Sequence, residues 1–79
     1  MTEIEVGDIV EDLSGDFCVV EEIIEPCHED DDYEIEGLWY ATLLDAQHRI
    51  NNLANFGRAR EEFQNLKAVH KSMKWEEYL

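Results

Sequence analysis

The chain has 79 residues, 44% of them hydrophobic and 33% charged, with a formal net charge of −14. Residues 1–45 hold 16 Asp and Glu and no Lys or Arg, whereas residues 46–79 hold 4 Asp and Glu and 6 Lys and Arg. A field of that sign repels nucleic acid and membrane surfaces and attracts basic protein surfaces, so the acidic half is excluded as a nucleic-acid footprint.

A length of 79 residues predicts one domain, 1–79, with a small stability margin. Trp39, Trp75, Phe17, Phe56 and Phe63 can supply a bulky core, and the apolar content argues for folding over disorder. No apolar run approaches the length of a membrane span. The N-terminus lacks a basic region followed by an apolar one, so a secretory signal is not expected. The expectation is a cytoplasmic protein, in which Cys18 and Cys27 are free thiols.

Residues 4–13, IEVGDIVEDL, are rich in Ile and Val and predict a strand kinked at Gly7. Ser14-Gly15-Asp16 is a turn signal. Residues 17–25, FCVVEEIIE, predict a second strand that Pro26 ends, and the pair reads as a hairpin. Residues 27–37, CHEDDDYEIEG, predict a disordered acidic loop that Glu29, Asp30, Asp31 and Asp32 extend into solvent by mutual repulsion. Residues 38–44, LWYATLL, form the most apolar run and predict a central strand. Asp45-Ala46-Gln47 reads as a turn into HRINNL, a weaker fourth strand.

Ala59, Phe63, Leu66, His70 and Met73 are spaced as one face of a helix, which predicts a C-terminal helix over 57–74 with a tail over 75–79. Glu near its start and Lys near its end suit the helix dipole. The alternative for the same segment is a short strand over Leu66-Lys67-Ala68-Val69. The expected fold class is α+β and mainly β: an acidic antiparallel barrel of four or five strands over 1–56, followed by that helix.

VGDIVEDLSGDFCVVEEII, LWYATLLD and HRINNL together resemble the small Src-homology-3-like barrels of the KOW and Tudor type, over about residues 6–53. The resemblance implies a Gly-Asp before the first barrel strand, a short turn to the second, aromatics on the third and a short fourth. Such barrels commonly bind nucleic acid or peptides, and the wholly acidic barrel half departs from the nucleic-acid binders. Small size and extreme acidity are also similar in style to phage-encoded inhibitors that imitate DNA.

Carboxylates could replace phosphates. Same-face side chains on a strand lie about 6.6 Å apart. Glu3/Glu5 and Glu21/Glu25 could form such rows, extended by Asp30, Asp32, Glu34 and Glu36. The alternating Asp30, Asp32, Glu34 and Glu36 are reminiscent of early calcium-loop ligands. Ile35 stands where the turn glycine is needed, and the closing Glu is missing. Cys27-His28 with Cys18 lacks the paired spacing of a zinc site. No metal or cofactor is therefore expected. His28 is expected at the surface, and Cys18 as a small core residue.

His28, His48 and His70 could act as bases and Cys18 or Cys27 as a nucleophile, yet no phosphate loop, nucleophile elbow or metalloprotease motif accompanies them. A thiol among carboxylates should have a raised pKa, which opposes thiolate chemistry. The expectation is not an enzyme. Arg49, Arg58, Arg60, Lys67, Lys71 and Lys74, with Trp75 and Tyr78, are too few for a nucleic-acid footprint. They are expected to pair with the acidic half of the same chain or of a second copy, which leaves a homodimer open.

The function expected is a non-enzymatic, phage-encoded acidic inhibitor or modulator that binds the basic nucleic-acid-binding surface of a host defence or transcription protein. It would not bind nucleic acid directly. The expected contact residues are Glu21, Glu22, Glu25, Glu29, Asp30, Asp31, Asp32, Glu34 and Glu36. The alternative is an interaction or assembly adaptor whose acidity serves only solubility. Carboxylates converging on one face would favour the first, and a scattered distribution the second.

Overall fold

The computed structural model describes residues 4–48 and 55–71. Five antiparallel strands form one sheet in the order β4-β3-β2-β1-β5. The strands are β1 (Ile9–Asp12), β2 (Phe17–Ile24), β3 (Glu34–Tyr40), β4 (Asn55–Glu62) and β5 (Leu66–His70). A helix, α1 (Leu43–His48), follows β3, and a 3₁₀ turn (Phe63–Asn65) joins β4 to β5.

The hairpin forms where the turn signal predicts it. β1 pairs with β2 through Ile9↔Val19, Val10↔Cys18 and Glu11↔Phe17. Asp12 sets the turn: its Oδ1 accepts from Ser14 N at 3.0 Å and Asp16 N at 2.9 Å. Gly15 holds φ +88, which a side chain would resist. The first strand is shorter than predicted, because residues 4–8 lie outside the ladder.

Both faces of the sheet carry apolar residues. Val10, Cys18, Val20, Ile35 and Trp39 form the core of the inner face, with Ile4, Ile23, Phe63, Leu66 and Val69 packed against them. Ile9, Val19 and Tyr40 lie on the outer face under Ala46 of α1, joined by Phe17, Leu38 and Leu43. A bulge between Val20 and Glu22 shifts the alternation of β2, so that Ile23 pairs with Ile35 and Glu22 with Glu36.

Several expectations are corrected. The five strands make an open sheet and not a closed barrel, since no ladder joins β4 to β5 among the described residues. Phe63, Leu66, Val69 and Ile4 fill the inner face with side chains, so its closure is by packing and not by hydrogen bonds. The helix predicted over 57–74 is absent where the chain is described. Residues 55–62 are strand, and so are residues 66–70, as in the short-strand alternative. The helical spacing of Ala59, Phe63, Leu66 and His70 loses to cross-strand pairing with β3 and β1.

The third strand begins at Glu34 and not at Leu38, so residues 34–37 leave the predicted loop. Their alternation buries Ile35 and Gly37 and turns Glu34 and Glu36 outward. The loop before them is pinned and not free: Asp32 Oδ2 accepts from Gln64 N at 2.6 Å, and Phe63 N donates to Tyr33 O at 2.8 Å. The turn predicted at Asp45-Ala46-Gln47 lies inside α1, whose start is capped by Thr42 Oγ1 accepting from Asp45 N at 3.1 Å. His48 ends α1, and the rest of the predicted HRINNL strand falls outside the described residues, as do Met73, Lys74 and the tail 75–79.

Candidate partner-binding surface

The bulge in β2 and the hairpin β3–β4 bring the predicted carboxylates together. On the outer face, beyond the apolar patch under α1, Glu22 stands directly opposite Glu36, and Glu34 opposite Glu62. Like charges in direct register oppose pairing. Two arginines of β4 relieve them. Glu36 Oε2 accepts from Arg58 Nε and its Oε1 from Arg60 Nε, each at 2.9 Å. Arg58 Nη1 also reaches Glu21 of the bulge.

These bonds hold the Glu36 carboxyl below the usual carboxylate range, with the Arg60 hydrogen bond the larger cause and Arg58 next. The same contacts raise both guanidinium groups, each chiefly through Glu36.

Beside this patch lies a cavity of about 480 Å³ between the end of β2, the acidic loop and the end of β4. Glu25, Asp30, Asp31, Asp32, Glu34 and Glu62 line it, with Arg60 the one cation among its described lining residues. Glu29 is exposed on the same loop but is not part of that lining. Eight of the nine predicted contact residues thus converge on one region: Glu21, Glu22 and Glu36 on the outer face, and Glu25, Asp30, Asp31, Asp32 and Glu34 around the cavity. Glu5 sits elsewhere, beside Lys71, and Glu3 is outside the described residues.

The described basic residues, Arg58, Arg60, Lys67 and Lys71, pair within the chain, as the sequence led us to expect, while Arg49 and Lys74 lie outside the described residues. Besides Arg58 and Arg60, Lys67 Nζ lies 3.3 Å from Glu11. Lys71 Nζ lies 2.7 Å from Asp8 Oδ2 and 3.6 Å from Glu5. Sequence reasoning missed Asp8 and Asp12, which are both buried. Asp8 accepts from Glu5 N at 2.8 Å as well as from Lys71, and so ties the start of the chain to the end of β5. Its bond to Lys71 raises the lysine. The Gly7-Asp8 step before a strand was the visible signal.

Among the described residues no group of three or more His, Cys, Asp or Glu is placed to hold a metal ion. Within the calcium-like run, Asp32 is engaged by Tyr33 N and Gln64 N, and Glu36 by the two arginines. Among these residues, too, no helix is long and apolar enough to cross a membrane.

Cys18 lies in the core, as expected. Cys18 is fully buried and Cys27 exposed, and burial, followed by the charge of Glu21, pushes the Cys18 thiol up to about 12. His28 is exposed. At pH 8 the native chain should therefore consume one equivalent of Ellman's reagent quickly and the second only on unfolding. Two equally fast thiols would show that Cys18 is not held inside the sheet.

No family model, curated protein or solved structure matches the chain.

Proposed function

We propose that the chain is a non-enzymatic modulator that occupies the basic nucleic-acid-binding surface of another protein, its carboxylates standing in for phosphates. The observation that carries this reading is convergence. Glu25, Asp30, Asp31, Asp32, Glu34 and Glu62 line one cavity, and Glu21, Glu22 and Glu36 adjoin it. A surface charged for solubility alone needs no such concentration. The likeness to small Src-homology-3-like barrels belongs to the same reading. It is supported by Gly7-Asp8 ahead of β1, the tight turn to β2 and Trp39 on β3.

A partner held by such a surface releases counterions, so affinity must fall steeply with salt. The test is capture of basic proteins from a bacterial lysate at low and high salt, followed by binding of the captured partner to two charge-reversed variants. One changes Asp30, Asp31 and Asp32 together to Lys, and the other Glu21, Glu22 and Glu25. The loop set, with Asp30 and Asp31 exposed, should act mainly on association rate, and the strand set, which holds Glu21 and Glu22 of β2 and the adjoining Glu25, on complex lifetime. The strand set should be the more damaging, with the fold retained by circular dichroism. If both variants bind as tightly as wild type, the mimic reading fails and the adaptor reading replaces it.

A further inference from the structure

We propose that Arg58 and Arg60 are built-in competitors: they hold the carboxylates that arginines of a partner would take, and binding proceeds by their displacement. This rests on the reading of the acidic face given above.

The face already displays the chemistry that it binds. Glu36 is bracketed by two guanidinium groups, one on each oxygen, each at 2.9 Å. Arg58 bridges onward to Glu21, so a single side chain from β4 spans β3 and reaches β2. Arg58 bonds two carboxylates at once, Glu36 through Nε and Glu21 through Nη1, a spread of donors along one planar group that an ammonium group reproduces poorly. Arginine-bearing surfaces are therefore the partner class.

The exchange needs no disruption of the core. The Arg58 and Arg60 side chains are 49% and 59% exposed, whereas that of Glu36 is 17% exposed beneath them. Freed arginines would swing into solvent and leave Glu36 open. Glu22 and Glu34 also stand close enough to act on Arg60 through their charge. Once the internal arginines leave, the facing pairs Glu22↔Glu36 and Glu34↔Glu62 are uncompensated like charges, which favours any incoming guanidinium.

The test compares R58Q with K67Q. Each removes one positive charge, but Lys67 pairs with Glu11 across β5 and β1, away from the acidic face. Binding of a labelled oligo-arginine peptide is followed by fluorescence anisotropy. R58Q should bind up to about fivefold tighter than K67Q, the scale of one exposed ion pair. R58K, which keeps the charge, should tighten less than R58Q. If circular dichroism shows R58Q unfolded, R60Q carries the same comparison. An R58Q affinity equal to or below that of K67Q overturns the competitor role. If wild type binds oligo-arginine and the captured partner firmly while both variants tighten equally, the competitor role alone falls. If no form of the chain binds either, the proposed function falls with it.

Discussion

Replacing Trp39 by alanine is expected to remove most of the stability of the fold. Trp39 is 7% exposed and packs with Val10, Cys18, Val20 and Ile35 on the inner face. Its indole N–H donates to Ala59 O at 3.1 Å, which fastens β3 to β4 away from the backbone ladder. Deleting a large buried aromatic costs about 3–5 kcal/mol through lost transfer energy and the cavity left behind. A domain of this size holds only about 4–12 kcal/mol in total. Trp39→Phe keeps much of the bulk and loses the hydrogen bond, so it should lie between. Urea unfolding followed by far-ultraviolet circular dichroism ranks the three. If Trp39→Ala unfolds near the wild-type midpoint, the inner face is not the core.

The parts that were legible in the sequence were those set by local chemistry. Ser14-Gly15-Asp16 fixed the hairpin because a turn needs Gly15 at positive φ and a capping carboxylate at Asp12. Pro26 lies just beyond the end of β2 at Ile24. The illegible parts depend on partners distant in sequence. Glu34 and Glu36 looked like loop residues because their charge masked the strand alternation around Ile35 and Gly37. The charge becomes tolerable in a strand only when Arg58 and Arg60 arrive from β4.

The same blindness produced the false helix. NFGRAREE has few β-formers, so the helical spacing of the following apolar residues prevailed in the sequence. What makes it a strand is its register on β3, with Gly37↔Ala59 and Glu36↔Arg60. The acidic positions of the candidate surface, Glu62 excepted, were all visible as residues. Their convergence was not, because it depends on the bulge at Glu21 and on the return of β4 alongside β3. Internal pairing of the basic half was foreseeable from charge, but the individual partners were not.

Gly37→Ala should be as damaging as the tryptophan deletion, for a different reason. Gly37 lies on β3 opposite Val20 in the central ladder. A Cβ there would sit 1.9 Å from Val19 O, 2.9 Å from Val19 C and 3.0 Å from Cys18 Sγ. The first two atoms are backbone, so no side-chain rotation relieves the clash. The two strands must part, next to a bulge that already interrupts the ladder between Val20 and Glu22. Overpacking costs typically about 1–3 kcal/mol and more where the backbone must move, so a loss of about 3 kcal/mol or more is expected. Gly15→Ala separates this effect from loss of glycine as such. Gly15 has open space around it, and its φ of +88 should cost an alanine only about 1–2 kcal/mol. In urea unfolding Gly37→Ala should therefore fall well below Gly15→Ala, with loss of the cooperative transition as the extreme outcome. A Gly37→Ala chain as stable as Gly15→Ala would mean that β2 and β3 do not approach as closely as their register requires.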